Sequence, residues 1–452
     1  MKAHVEQIQR INPALNAAVA VMFERALEEA RAADKKLASG ESLGPLHGIP
    51  FSVKDSIDVQ GVRTTAGTIG RKNCAVADKD ATVVARLRKA GAIPVAKTNL
   101  PDLLFAYETD NLIFGRTNNP YDLNLTPGGS SGGEAALIAA CGSPLGLGSD
   151  AAGSVRLPAA FCGIAAIKPT SGRLPRTGHV PPSGGWIEAL WQIGPMARYQ
   201  EDLVLAIQIL SGEDGSDFTA PPMPLLEESG GAKLRVAFFT DNGFAKPVSA
   251  IRLAVEHCAA TLSRSGFRVE ESRPPGIELA YELEMSLLGA DGGCGIDEYL
   301  RQIGSMQTHP LLEDGFVNRM RRYRGSAADL AARWAQWDQY RSDLHRFFQT
   351  YDAMLCPVYT EPALRHGESV LPGKFEGFSY TMAWNVAGTP AAVVRCGELD
   401  GLPICIQLVT KPWRDMLALH IAGEIQNQLG GWQAPPLGAH AGSLSGDKQK
   451  RD

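Results

Sequence analysis

Short apolar, strand-like segments alternate with helix-like segments along most of the sequence. An apolar run at 49–53 comes first, and a helix pattern at 81–90 follows it, with Asp80 as its candidate N-cap and Gly91 as its candidate end. The segment "AIPVAKT" then returns to the pattern of a buried strand. Because chains that alternate in this way pack their helices on a sheet, the sequence predicts an α/β layered fold.

The alternation continues into the C-terminal part of the chain, which favours one large domain over several. A helix is predicted over 15–38 from apolar residues at helical spacing, and a more polar helical region is predicted at about 277–350. Residues 437–452 have the composition of a disordered tail, so the single domain is predicted to span 1–436. Further strand-like runs are residues 164–167, "LRVAFFTD", "AMLCPVY", "AAVVRC" and "ICIQLVT".

Composition and charge exclude several classes of function. The 452 residues are 44% hydrophobic, enough for a sizeable core, and the net charge is −5 with the two signs interleaved. Without a basic stripe, nucleic acid is not expected as a partner. No apolar run reaches the length of about 18 residues that a membrane span needs, and no signal-peptide pattern is present. We therefore expect a cytoplasmic protein without a membrane partner.

The eight cysteines are scattered along the chain and form no CxxC pairs. Disulfide frameworks and zinc sites both require cysteines at characteristic spacings. We therefore expect reduced thiols and no metal site.

The stretch "TPGGSSGGEAALIAA" places two serines between glycine pairs, just before a segment predicted as a helix over 134–141. A phosphate cradle is one reading, but neither GxxxxGK[ST] nor a strand feeding GxGxxG is present. A nucleophile elbow is a stronger alternative, because G-x-S-x-G fits around Ser130 or Ser131. An elbow requires a hydrophobic strand before it, whereas the approach here is rich in turns and contains Pro120 and Pro127.

Two other segments supply different chemistry. In "GSDAAGSVR", Ser154 stands at a predicted helix start after small residues, so that successive backbone N–H groups can converge on one point, as an oxyanion hole requires. In "GIPFSVKDSIDV", Lys54 ends a predicted buried strand, and a buried lysine must be paired or have a lowered pKa. A lysine of lowered pKa is a usable general base. The residues thus offer two serines and a lysine without requiring a histidine.

The block "GGSSGGEAALIAACGSPLGLGSDAAGSVRLPAAFCGIAAIKPTSGRLP" resembles the amidase signature family, of the stand-alone amidase type. The resemblance covers about 10–430, with a signature core at about 45–215. It implies the amidase-signature fold, a large mixed and mostly parallel β-sheet with helices on both faces, and amide hydrolysis without a cofactor or metal. Further landmarks in the order of the family are "GPLHGIPFSVKD", "TTAGT", "AGAIPVAKTNLPDLLF", "GRTNNPYDLNLTPGGSSGG", "IGPMARYQEDL", "YDAMLCPVYTEPA", "NVAGTPAAVV" and "GLPICIQLV".

The resemblance also implies a Ser–cisSer–Lys triad. Ser154 would be the nucleophile, Ser130 the bridging serine after a cis Gly129–Ser130 peptide, and Lys54 the base. Where the family commonly has two glycines before the nucleophile, this chain has Ala152 and Gly153. The backbone N–H groups implied for the oxyanion hole are those of Ala151, Ala152, Gly153 and Ser154. The residues implied to hold the loop and the relay are Gly129, Ser131, Asp150 and Arg156.

The substrate is less constrained by the sequence. Trp186 and Trp191 are candidates for the wall of an apolar pocket, with a core role as the equal alternative, and 277–350 is expected to cover the entrance. We expect hydrolysis of small aliphatic or aryl amides by a monomer or homodimer. A carbamate (urethane) or ester hydrolase, a glutaminase that resembles the A subunit of glutamyl-tRNA amidotransferase, and a binding protein with a degenerate site are the alternatives.

Overall fold

The computed structural model describes residues 1–41, 43–181, 190–226 and 234–437. Its strands are β1 (Ala18–Val21), β2 (Pro50–Lys54), β3 (Ile93–Thr98), β4 (Leu145–Asp150), β5 (Ala165–Lys168), β6 (Gln192–Ala197), β7 (Arg235–Phe238), β8 (Arg268–Glu271), β9 (Ala353–Pro357), β10 (Ala391–Leu399) and β11 (Leu402–Thr410).

The helices precede, separate and follow these strands. They are α1 (Lys2–Leu15), α2 (Phe23–Ala38), α3 (Thr82–Lys89), α4 (Gly132–Ala139), α5 (Arg156–Cys162), α6 (Gln200–Leu210), α7 (Ser249–Arg264), α8 (Ala280–Leu288), α9 (Cys294–Gln302), α10 (Pro310–Leu312), α11 (Asn318–Arg321), α12 (Ala327–Thr350), α13 (Ser379–Val386) and α14 (Asp415–Leu429).

The eleven strands of the described ranges form one sheet in the order β1-β3-β2-β4-β6-β5-β10-β11-β9-β7-β8. Alternate residues of a strand face opposite sides of a sheet. In β11, Ile406 and Leu408 join an apolar cluster with α3, α6, α7 and α14, whereas Cys405 and Val409 join clusters with α1, α4, α5, α8, α12 and α13. The predicted α/β fold, with a large mixed sheet between helical layers, is confirmed.

The prediction that the sheet is mostly parallel is wrong. Among the described residues, four neighbouring pairs are parallel, β2–β3, β2–β4, β7–β8 and β7–β9. The other pairs, six in the same ranges, are antiparallel. The β10–β11 pair shows one cause, because only Asp400 and Gly401 connect the two strands, and both have positive φ. A two-residue turn of this kind joins antiparallel strands, since a parallel crossover needs a dozen or more residues.

The single helix predicted over 15–38 is also wrong at its N-terminal end. α1 ends before Asn16, which has φ 52°, and β1 precedes the start of α2. The Asn12 side chain accepts hydrogen bonds of 2.8 Å from the amides of Ala17 and Ala18, and β1 then pairs antiparallel with β3. Pairing with a strand far along the chain therefore overrides the helical spacing.

The parallel pair β2–β4 determines where polar residues collect. Lys54 is the last residue of β2 and Asp150 the last residue of β4. α4 begins at Gly132 and α5 at Arg156. Since ligands of α/β proteins bind outside the carboxyl ends of the strands, a binding site is expected at this edge of the sheet. Within the described ranges no helix combines the length and the apolar character needed to cross a membrane, and 438–452 of the predicted tail lie outside them.

Candidate active site

Lys54 is fully buried at the end of β2, and hydroxyl groups surround its amine. Its Nζ lies 2.7 Å from Ser130 Oγ, 2.9 Å from Ser131 Oγ and 3.2 Å from Ser149 Oγ. Burial lowers the pKa of Lys54 well below its usual value, although the negative charges of Asp150 and Glu134 oppose the shift. The environment therefore favours the neutral amine, which has a lone pair for proton transfer.

Glu134 lies in the first turn of α4, in the same buried region. Its side chain accepts hydrogen bonds from Ser52 and from Thr98 Oγ1, the latter at 2.6 Å. Burial raises the pKa of Glu134 to about 7, while these hydrogen bonds and Lys54 favour the ionised form. The group thus titrates near neutrality and is a weak counter-charge for Lys54.

The segment before α4 brings the Ser130 hydroxyl to Lys54. The Gly129–Ser130 peptide is cis, as the sequence resemblance implies. A Cβ at Gly129 would lie 2.6 Å from the carbonyl oxygen of Glu108 and 2.7 Å from that of Ala106. This close approach of two backbone segments leaves room only for glycine.

Ser154 lies in the connection between β4 and α5, with 8% of its surface exposed. Its carbonyl oxygen accepts a 3.1 Å hydrogen bond from the amide of Ser131, so the two segments are held together directly. Ser154 and Ser130 both line a cavity of about 110 Å³. The structure therefore brings Lys54, Ser130 and Ser154 to one place.

The four amides implied for the oxyanion hole differ in whether their N–H groups already have a hydrogen-bond acceptor. Among the described residues, the N–H groups of Ala151, Ala152 and Ser154 have no hydrogen-bond acceptor. The N–H of Gly153 donates to Asp150 Oδ1 at 2.8 Å, so in this structure it does not point into the cavity. Gly153 has φ 125°, whereas Ala152 does not take a positive φ, and alanine is therefore sterically acceptable at 152.

Asp150 and Arg156 form a buried, bidentate ion pair beneath this loop, with two contacts of 2.9 Å. Asn385 donates to Asp150 Oδ1 at 3.0 Å, and Arg156 donates to the carbonyl of Thr381 at 2.9 Å. Burial alone would raise the pKa of Asp150, but the positive charge and hydrogen bonds of Arg156 hold it well below its usual range. The pair ties the Ser154 loop to α13.

The cavity wall is mostly apolar. Trp191 lines it and is also buried in the apolar cluster on the sheet, so its position fits both roles considered for it, whereas Trp186 lies outside the described residues. His179 belongs to it as well, 4.4 Å from the Trp191 ring between ring centroids, and no feature of the sequence singled it out. Further lining residues that sequence reasoning missed are Leu103, Leu104, Phe105, Ser149, Pro181, Leu288 and Phe316.

A larger and more open cleft of about 1000 Å³ lies elsewhere, between α2 and the segment around Gly61–Val76. Lys54, Ser130 and Ser154 do not line it. Chemistry rather than size therefore identifies the smaller cavity as the candidate active site.

Comparison with known proteins gives the family. A sequence model of the family described as Amidase matches residues 1–419. The chain belongs to the amidase signature family. This amidase is a hydrolase of carbon–nitrogen bonds of the linear-amide type.

Two relatives and one solved structure illustrate the similarity of the amidase to known proteins. Indoleacetamide hydrolase of Bradyrhizobium diazoefficiens is 33% identical over 444 residues, covering 95% of this chain and 83% of that protein. The A subunit of glutamyl-tRNA(Gln) amidotransferase from Symbiobacterium thermophilum is 34% identical over 454 residues, covering 93% and 91%. The structure of 6-aminohexanoate cyclic dimer hydrolase complexed with substrate has a TM-score of 0.85 and 27% identity, covering 96% and 94%.

Proposed function

We propose that this amidase hydrolyses small aliphatic or aryl amides through an acyl-enzyme on Ser154, with Ser130 and Lys54 as its proton relay. The observation that carries the proposal is the 2.7 Å contact between Lys54 Nζ and Ser130 Oγ, in a fully buried position. A lysine that is kept neutral by burial can accept a proton near neutral pH. The serine beside it is then the route by which that proton arrives.

The hydrogen bonds around Lys54 support a particular direction for its lone pair. Ser131 Oγ donates its own hydrogen to the carbonyl of Ser149, at 3.2 Å, and so presents only lone pairs to Lys54. If Ser149 Oγ accepts as well, both hydrogens of the neutral amine are used. The lone pair of Lys54 is then left for the hydroxyl of Ser130.

The reaction follows from this arrangement. Ser130 gives its proton to Lys54 and takes the proton of Ser154, whose Oγ attacks the amide carbon. Among the described residues the hydroxyls of Ser130 and Ser154 share no hydrogen bond, so the proposal requires them to come within hydrogen-bond distance when substrate binds. The proton returns from Lys54 through Ser130 to the leaving nitrogen, and water repeats the sequence on the acyl-enzyme.

The negative charge that develops on the carbonyl oxygen needs donors that have no other acceptor. The amides of Ala151, Ala152 and Ser154 meet this condition among the described residues, so we assign the oxyanion hole to them. The amide of Gly153, which donates to Asp150, instead fixes the shape of the loop. Ser131, Asp150 and Arg156 act by holding the reacting groups in place.

The cavity supports a compact, apolar acyl group as substrate. Its walls include Leu288 and Phe316 from the 277–350 region, which supports that region as the substrate cover, and they also include Trp191. The relative from Bradyrhizobium diazoefficiens is named an indoleacetamide hydrolase, which supports primary amides with an aryl group as the first compounds to test. Carbamates and esters share the acyl chemistry and belong in the same panel.

Glutamine hydrolysis is the second candidate, because the A subunit of an amidotransferase is 34% identical to this chain. Glutamine carries an ammonium and a carboxylate, each of which needs a charged or strongly polar partner when buried. Among the described residues that line the cavity, the only ionised side chain is Asp150, and Arg156 already pairs with it. This favours an apolar amide over glutamine.

The test is a substrate panel with Ser154→Ala and a matched control. The panel contains indoleacetamide and other primary amides, p-nitroanilides, carbamates, esters and glutamine, with ammonia or chromophore release as the measurement. Ser143→Ala is the control, because Ser143 is also buried but precedes β4, at the opposite end of that strand from the site. We expect no turnover by Ser154→Ala and unchanged turnover by Ser143→Ala. Full amidase activity in Ser154→Ala would overturn the proposal.

A further inference from the structure

His179 is buried between the candidate active site and a neighbouring loop, and both of its ring nitrogens have partners. Nδ1 lies 3.2 Å from the carbonyl oxygen of Pro181, and Nε2 lies 3.1 Å from Ser149 Oγ. The ring also packs at 4.4 Å between centroids against Trp191. The imidazole is therefore held in one orientation.

These contacts assign the tautomer. The carbonyl oxygen of Pro181 can only accept, so Nδ1 carries the hydrogen and Nε2 presents a lone pair. Burial lowers the pKa of His179 to about 3, although the hydrogen bond to Pro181 opposes this shift, and the positive charges of Arg176 and Lys97 lower it further. The ring is thus neutral under ordinary conditions, and Nε2 accepts the hydrogen of the Ser149 hydroxyl.

This acceptance determines what Ser149 offers to Lys54. A serine hydroxyl has one hydrogen, and if that hydrogen points to His179, Oγ has only lone pairs left for other neighbours. Lys54 Nζ lies 3.2 Å from this oxygen and must be the donor of that hydrogen bond. Three groups, His179, Ser149 and Lys54, therefore form a chain with one consistent direction.

We propose that His179 is a positioning residue for the relay, which acts through the Ser149 hydroxyl to keep the lone pair of Lys54 directed at Ser130. The proposal rests on the proposed amide hydrolysis. Without an acceptor at Nε2, the Ser149 hydroxyl is free to turn and donate its hydrogen to the amine of Lys54. It then competes with Ser130 for the lone pair that the relay needs.

Two substitutions of His179 distinguish the role of Nδ1 from the role of Nε2. Asparagine at 179 keeps a donor near the Nδ1 position for Pro181 but has no acceptor at the Nε2 position, whereas glutamine places an acceptor there. We expect His179→Asn to lower kcat for amides about tenfold, the factor for one ordinary hydrogen bond, with little change in KM. We expect His179→Gln to recover most of that loss.

The decisive experiment repeats the His179→Asn substitution in a Ser149→Ala chain. Because alanine at 149 has no hydroxyl to turn, His179→Asn should change kcat less than twofold in the Ser149→Ala chain. In the parent enzyme, the same substitution is expected to lower kcat about tenfold. An equal loss of kcat in both backgrounds overturns the proposal. A rise in KM with no change in kcat also overturns it, because His179 would then be a substrate contact. Equal losses in the Asn and Gln variants also overturn it.

Controls keep this result separate from folding and from the proposed function. Thermal unfolding of each variant shows whether the fold is retained, and His179→Leu, of similar bulk and without an acceptor, replaces the Asn variant if that chain does not fold. Ser154→Ala is assayed in parallel. Activity that survives in Ser154→Ala refutes the proposed function, whereas a failure confined to the His179 comparison refutes only the positioning role.

Discussion

At the scale of single residues, Lys54 differs from the other buried lysine of the neighbouring strand in the kind of partner it has. Lys97 forms an ion pair with Asp55 at 3.1 Å. Lys54 contacts hydroxyl and carbonyl oxygens instead, and its pKa is lowered by burial. Lys97 is therefore held by a carboxylate, whereas Lys54 has no such partner and is, in the proposed function, the group that acts as a base.

Removing the amine should affect amides and esters differently. In Lys54→Met, which keeps a side chain of similar length, we expect amide kcat/KM to fall by a factor on the order of 10³, within the range for general acid–base groups. Ester hydrolysis should fall less, because an alkoxide or phenoxide leaves more readily than an unprotonated amine. Matched anilide and phenyl ester substrates of one acyl group measure the ratio. Equal losses for both would argue against Lys54 as the source of the leaving-group proton.

The ion pair of Asp150 and Arg156 is expected to be needed for stability as well as for loop shape. Asp150→Asn leaves a fully buried guanidinium without its carboxylate, which typically destabilises a protein by about 3–5 kcal/mol. Because the pKa of Asp150 is lowered in the folded state, its contribution is present at neutral pH and is lost only as the pH falls through that lowered value.

Urea unfolding at pH 7 measures this effect, and the chain offers a matched control. Asp338 pairs with Arg341 on the exposed side of α12, so Asp338→Asn should stay close to the parent in stability. If the two variants unfold at the same urea concentration, the buried pair does not stabilise the fold in the way described.

At the scale of elements, α4 is a helix with no exposed face. All eight of its residues are buried, and its first turn approaches the backbone after β3 very closely. A Cβ at Gly133 would lie 2.5 Å from the amide nitrogen of Asn99 and 2.6 Å from its carbonyl oxygen. Small residues are thus required where the helix passes over the chain.

Gly133→Ala tests this close approach. The added methyl group meets rigid backbone atoms, so we expect a loss of at least about 1–3 kcal/mol in unfolding free energy, the typical cost of overpacking, or failure to fold. Gly397→Ala is the matched control, because a Cβ there meets no atom within 4 Å, and it should be tolerated. Equal tolerance of both substitutions, measured by thermal unfolding, would contradict the described packing.

Helices and strands with strong local sequence patterns are predictable, whereas those that depend on distant pairing are not. The helix predicted at 81–90 matches α3, and the strand predicted at 49–53 matches β2 within one residue, because both have strong local signals. β1 was missed because it exists only by pairing with β3. Strand direction in the centre of the sheet was likewise set by connections rather than by composition.

Some residues of the candidate site can likewise be predicted from the sequence, and others cannot. Lys54, Ser130 and Ser154 are predicted from their segments and from the resemblance that those segments carry. His179, Leu288 and Phe316 were not found, because their proximity to the serines depends on contacts between distant parts of the chain. A histidine or leucine at such a position looks like any other in the sequence.

At the scale of the whole molecule, early and late parts of the chain are interleaved in one sheet. β5 pairs with β10, and Arg156 contacts Gln407, 251 positions further along the chain, at 3.3 Å. We therefore expect one cooperative unfolding transition, in which calorimetry, tryptophan fluorescence and loss of activity coincide. Two separated transitions would show that the chain contains independently stable parts.

The full enclosure of Lys54 has a consequence for how the enzyme exchanges protons with its surroundings. None of its surface is exposed, and Ser130, the bridging serine of the proposed relay, lines the candidate cavity. With substrate bound, the proposed relay is insulated from buffer, and every proton on the amine has come from the reacting molecules and returns to them. The pH of the buffer then sets the protonation of Lys54 only in the free enzyme. In the Michaelis complex, Lys54 exchanges protons with the reacting groups and not with the buffer.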